Sequence, residues 1–67
     1  MKLTINGIEK QVPADLNTVS RLLTHLELGE KKAVIERNGK ILRKDEHEQE
    51  PVASGDTIEI VHFVGGG

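Results

Sequence analysis

The residues best placed to do chemistry are the last ones. The chain closes on Val64-Gly65-Gly66-Gly67, directly behind an alternating run from Thr57 to Phe63. Glycine lacks Cβ, reaches backbone conformations closed to other residues and lets a second protein approach the main chain closely. Four extended residues span about 13–14 Å, enough to thread a narrow channel. The reacting group on such an arm is the Gly67 α-carboxyl group, which ionises at about pH 3.5 and is therefore a poor electrophile at neutral pH. It needs activation, and the sequence has no glycine-rich loop followed by Lys-Ser/Thr that would bind a nucleotide. Activation is therefore expected from another protein. A frayed or artificially appended end is the bland alternative, and the strand running into the glycines without a polar linker argues against an appended one.

No other constellation competes. His25, His47 and His62 fall on separate expected elements, helix, loop and strand, and neither Ser20 nor Ser54 has a triad-like setting. Asp45 and His47 lie in the charged run "KDEHEQE", which reads as a solvated connection rather than a metal site. The chain has no cysteine, hence no disulfide, no zinc knuckle and no thiol nucleophile. Nine basic and eleven acidic residues give a net charge of −2, and there is one Phe with no Trp or Tyr. That is neither the electrostatic footprint nor the stacking surface of a nucleic-acid binder. The opening "MKLTING" has no apolar signal region, and no run reaches membrane-spanning length, so a cytoplasmic location is expected and no membrane partner.

The elements that must position the arm follow from turn signals and periodicity. Asn6-Gly7 and Asn38-Gly39 each sit between apolar alternations. Asn-Gly favours a type I′ hairpin turn, in which both central residues have positive φ. The first predicts strands over 2–5 and 8–12, with Leu3, Ile5, Ile8 and Val12 on one face, Lys10 inward with a snorkelling stem, and Pro13 ending the second strand. Val19, Leu22, Leu23 and Leu26 follow a helical stripe, with Asn17 as the expected N-cap and Gly29 as the left-handed stop. The second turn predicts strands over 33–37 and 40–43, with Ile35 and Leu42 on one face and Val34 and Ile41 on the other. "SGD" is a turn, and residues 57–63 form the last strand with Ile58 and Ile60 inward. The expected fold is α+β, in the order β-β-α-β-β-β: a mixed sheet of about five strands packed on one helix, a β-grasp arrangement. Sixty-seven residues allow one domain, with stability of only about 3–5 kcal/mol. Residues 1–64 form the domain and 65–67 a flexible tail.

This order, together with "AVIERNGKIL", "SGD" and "IEIVHFVGGG", resembles the ubiquitin-like sulfur carrier family of thiamine biosynthesis (ThiS) across essentially the whole chain. The chain departs from the usual family pattern at Arg43, where Pro is frequent, and near His47, where an aromatic is, leaving the conformation of 43–50 open. The resemblance implies a carrier, not an enzyme. A partner adenylyltransferase of the ThiF type, using ATP, adenylates Gly67. Sulfur from a donor such as a cysteine desulfurase then replaces AMP to give a thiocarboxylate, which a thiazole synthase of the ThiG type consumes. No cofactor is bound by the chain itself. The alternatives are a small subunit of molybdopterin synthase and a ubiquitin-like modifier or interaction module. Val34, Ile41, Val61, Phe63 and Val64, on the sheet face away from the helix or beside the arm, are the expected partner interface.

Overall fold

The computed structural model describes residues 1–28 and 32–62. Both Asn-Gly pairs turn as their chemistry requires, with φ of 50° and 82° at Asn6 and Gly7 and 49° and 88° at Asn38 and Gly39. Each therefore closes a type I′ hairpin. The first joins β1 (Lys2–Ile5) to β2 (Ile8–Gln11), pairing Ile5 with Ile8. The second joins β3 (Ala33–Arg37) to β4 (Lys40–Leu42), pairing Ile35 with Leu42. The last strand, β5 (Thr57–His62), lies between the hairpins, parallel to β1 and antiparallel to β3. The sheet order is β2-β1-β5-β3-β4. One helix, α1 (Val19–His25), buries Val19, Leu22 and Leu23 against Leu3, Ile5, Ile35, Leu42, Ile58 and Ile60, with Val12 and Val52 completing the core. This is the expected β-grasp arrangement.

Several local expectations are corrected. Thr18, not Asn17, caps α1: its backbone is extended and its hydroxyl oxygen accepts from the Arg21 amide at 3.2 Å. Asn17 instead offers its carbonyl to the Val52 amide. The left-handed position at the helix end is Glu27, with φ 62°. The Leu28 amide donates to the Leu23 carbonyl and the Glu27 amide to the Thr24 carbonyl, a Schellman closure. Gly29, the expected stop, lies outside the described residues. Leu26 packs on the rim of the core and is only partly buried. Ile8 faces the same way as Ile5 but is 60% exposed. It sits on an edge strand whose one neighbour is β1, and all four residues of β2, Lys10 included, are exposed.

The 43–50 connection is also more than a solvated run. Beyond Leu42 the chain enters a short 3-10 turn, Lys44–Glu46, with Arg43 as its extended N-cap. The His47 carbonyl accepts from the Ser20 amide at 2.8 Å, tying the segment to the start of α1, and its imidazole is buried. Glu50 turns inward to Arg37. The Arg37 guanidinium donates from Nη1 to Glu50 at 3.1 Å and from Nε to Asp56 at 2.8 Å, with Lys40 closing on Glu50 at 3.3 Å. Asp56 also accepts from the Ala53 amide and from the Asn38 carboxamide, whose oxygen in turn accepts from the Thr57 amide. These bonds fix the point where the chain enters β5.

Candidate functional site

Everything proposed for the tail depends on the strand that carries it. Along β5, Ile58 and Ile60 are buried while Thr57, Glu59 and Val61 point to the opposite face. That alternation follows from the two-residue period of a strand. The two flanks of β5 are unequal. On the β3 side pairing runs from Arg37 with Ile58 as far as Ala33 with His62. On the β1 side it covers only Thr57 and Ile58, with one further bond from the Asn6 amide to the Ile58 carbonyl. Main-chain pairing by β1 stops there because the chain turns away at Asn6-Gly7.

The Asn6 side chain takes over at that point. The Ile60 amide donates to Asn6 Oδ1 at 2.7 Å, and Asn6 Nδ2 donates to the Ile60 carbonyl at 3.1 Å. One carboxamide thus satisfies both backbone groups of a residue 54 positions away, as a strand residue would. Sequence reading took Asn6 only as a turn former. An Asn-Gly pair beside an edge that must accept another strand was the available signal, but not a specific one.

On the outer face, Val34 pairs directly with Val61, and Ile41 lies opposite Glu36. Val34, Ile41 and Val61 are 42%, 67% and 59% exposed. Three of the residues expected at a partner interface thus share the exposed sheet face away from α1. Glu36 and Glu59 also face each other across β3 and β5, a like-charge pairing that disfavours the free sheet. Phe63, Val64, Gly65, Gly66 and Gly67 lie outside the described residues.

Other candidate groups stay apart. His47, with Ser20, Leu23, Thr24, Lys44 and Glu48, lines a shallow hollow on the helix side of the sheet. Burial, with Lys44 beside it, lowers the pKa of His47 below its ordinary value despite the opposing pull of Glu46 and Asp45. Among the described residues no group of three or more His, Cys, Asp or Glu could hold a metal ion, and no helix is long and apolar enough to cross a membrane.

A five-stranded mixed sheet with one helix across it defines a ubiquitin-like β-grasp domain. Residues 3–67 match the model of the ThiS family, and the chain belongs to that family. It is 38% identical over 65 residues to the sulfur carrier protein ThiS of Bacillus subtilis (strain 168), covering 97% of this chain and 98% of that protein. It is also 45% identical, over all 67 residues, to part of a thiazole synthase of Paramagnetospirillum magneticum (strain ATCC 700264 / AMB-1), spanning 20% of that protein's length. Among solved structures, the thiamine biosynthesis protein (ThiS) of Geobacter metallireducens superimposes with a TM-score of 0.83 at 32% identity, covering all of both chains.

Proposed function

We propose that this protein is a sulfur carrier of thiamine biosynthesis, with Gly67 as the glycine that bears the sulfur. The observation that carries the reading is its near full-length likeness to the Bacillus subtilis carrier. The chain acts as a co-substrate. A carboxylate oxygen of Gly67 attacks the α-phosphorus of ATP on a ThiF-type adenylyltransferase and pyrophosphate leaves. The resulting acyl adenylate has AMP as its leaving group. The persulfide of a donor such as a cysteine desulfurase displaces it to give an acyl disulfide. A thiol then cleaves that S–S bond, releasing the thiocarboxylate and becoming a disulfide with the donor's sulfur. A ThiG-type thiazole synthase then accepts the sulfur. The occurrence of a closely similar segment inside a protein named thiazole synthase supports that last partner.

The test is intact-mass spectrometry after incubation with ATP, the adenylyltransferase and a sulfur source. The expected result is replacement of one oxygen by sulfur at Gly67. Deleting Gly67 shortens the arm by about 3.5 Å, and a misplacement of about 1 Å can cost a hundredfold in rate where reacting groups must align. Adding one residue beyond Gly67 is expected to be equally damaging. Gly66→Ala keeps the length and tests only the width of the channel. Wild-type modification of the shortened and lengthened chains would overturn the arm mechanism. Higher-mass isopeptide conjugates in place of sulfur exchange would point to a modifier.

A further inference from the structure

We infer that Asn6 is a positioning residue for the tail: its carboxamide holds the end of β5 in register and so sets where the arm leaves the sheet. The inference rests on the carrier reading above and adds a residue far from Gly67 in sequence. Beyond Ile58, β1 offers β5 no further main-chain partner except through Asn6, while β3 continues to His62. Without the carboxamide, the last residues of β5 would be held from one side only. The Ile60 amide and carbonyl would face water or remain unpaired, and the strand end would be free to pivot on its β3 ladder. Val61 and His62, which follow Ile60, pair with Val34 and Ala33 of β3 alone, so a tilt at Ile60 alters the direction in which the chain leaves β5.

The geometry also supplies its own control. Asn38 grips β5 at its other end: its amide donates to the Thr57 carbonyl and its Oδ1 accepts from the Thr57 amide, each at 2.8 Å. Both asparagines sit at positive φ in Asn-Gly turns, so glycine at either site keeps the turn and removes only the carboxamide. A loss of general stability should follow from either change. A loss of tail positioning should follow only from Asn6.

The experiment compares the wild-type protein with Asn6→Gly, Asn6→Asp and Asn38→Gly in steady-state adenylation by the purified adenylyltransferase with ATP. It is run at a temperature where circular dichroism shows every variant folded. Hydrogen exchange of the Ile60 amide is followed in parallel. Asn6→Gly is expected to speed Ile60 exchange and lower kcat by about ten- to a hundredfold, as misaligned reacting groups do, with KM for the carrier nearly unchanged. Asn6→Asp keeps the acceptor for the Ile60 amide but sets a carboxylate against the Ile60 carbonyl, so it should fall between wild type and Asn6→Gly. Asn38→Gly should lower the melting temperature and leave kcat as it was. If Asn6→Gly exchanges faster at Ile60 yet keeps the wild-type kcat, or Asn38→Gly loses kcat equally, the positioning role is wrong and Asn6 is merely structural. If Asn6→Gly does not fold, Asn6→Asp decides by the same two readouts. A wild-type protein that is not adenylated at all would instead bring down the carrier reading, and the inference with it.

Discussion

At Asp56, burial and hydrogen bonding pull the carboxyl group in opposite directions. Burial works against ionisation, but the Ala53 amide, the Arg37 guanidinium and the Asn38 carboxamide outweigh it and hold the group below its ordinary pKa of 3.8. The stability this supplies is fully present above 3.8 and is lost as pH falls through the depressed folded value. His47 behaves as a buried base. Its folded pKa lies below 6.5, so the unfolded chain takes up the proton first, and stability declines as pH falls from 6.5 toward the folded value. Urea midpoints measured against pH should therefore drop in two stages. His47→Leu should remove the first stage because it removes the titrating imidazole, and with it a buried ring nitrogen, Nε2, that has no hydrogen-bond partner among the described residues. Asp56→Ala should cost roughly 1–3 kcal/mol near neutral pH, because it strands the Ala53 amide and half-buried Arg37. In a domain of about 3–5 kcal/mol that is a large share. A pH profile without the upper stage in the wild type would contradict the buried-base account of His47.

Among the elements, α1 ends under strain that one substitution can relieve. Glu27 occupies the left-handed position of its Schellman closure, where a residue with a Cβ is disfavoured by roughly 1–2 kcal/mol. Glycine there loses more conformational freedom on folding, so the expected net gain for Glu27→Gly is about 0.5–1 kcal/mol. That corresponds to a rise of a few degrees in melting temperature, about 4–8 °C per kcal/mol in a domain of this size. The stop was misread because Gly29 carries the usual composition signal, whereas the helix ended where its apolar stripe stopped facing the core. The same contrast runs through the molecule. Regular spacing made the stripe Val19, Leu22, Leu23 and both hairpins readable, as well as the outward placement of Val34, Ile41 and Val61. Val52, isolated in a non-periodic loop, and the Asn6 bonds to Ile60 left no local pattern, because they depend on which strands become neighbours. The charged 43–50 run looked solvated because its pairing with Arg37 is likewise a product of the fold.

For the molecule as a whole, the sheet has one face committed to α1 and one left to meet something else. Val34 and Val61 form a cross-strand pair on the open face, so replacing both with serine removes apolar area without opening the core. The expected cost in stability is about 1 kcal/mol, from the lost cross-strand contact and lower strand propensity. Titration with the adenylyltransferase should show binding weakened by at least about fivefold, the effect of losing an interface residue worth more than 1 kcal/mol. Unchanged affinity would show that the partner docks elsewhere.

The place of β5 also sets the order of events when the protein is made. Chains leave the ribosome from the N-terminus at about 5–20 residues per second. Both hairpins and α1 therefore emerge before the strand that joins them. Among the described residues the β2-β1 and β3-β4 pairs are not neighbours in the sheet, and β5 lies between them. Until residues 57–62 are free, the nascent chain holds two unattached ribbons with exposed edges, and neither is stable alone. Translation must deliver the bridging strand before the sheet can close, so the domain acquires its shape only once residues 57–62 have emerged.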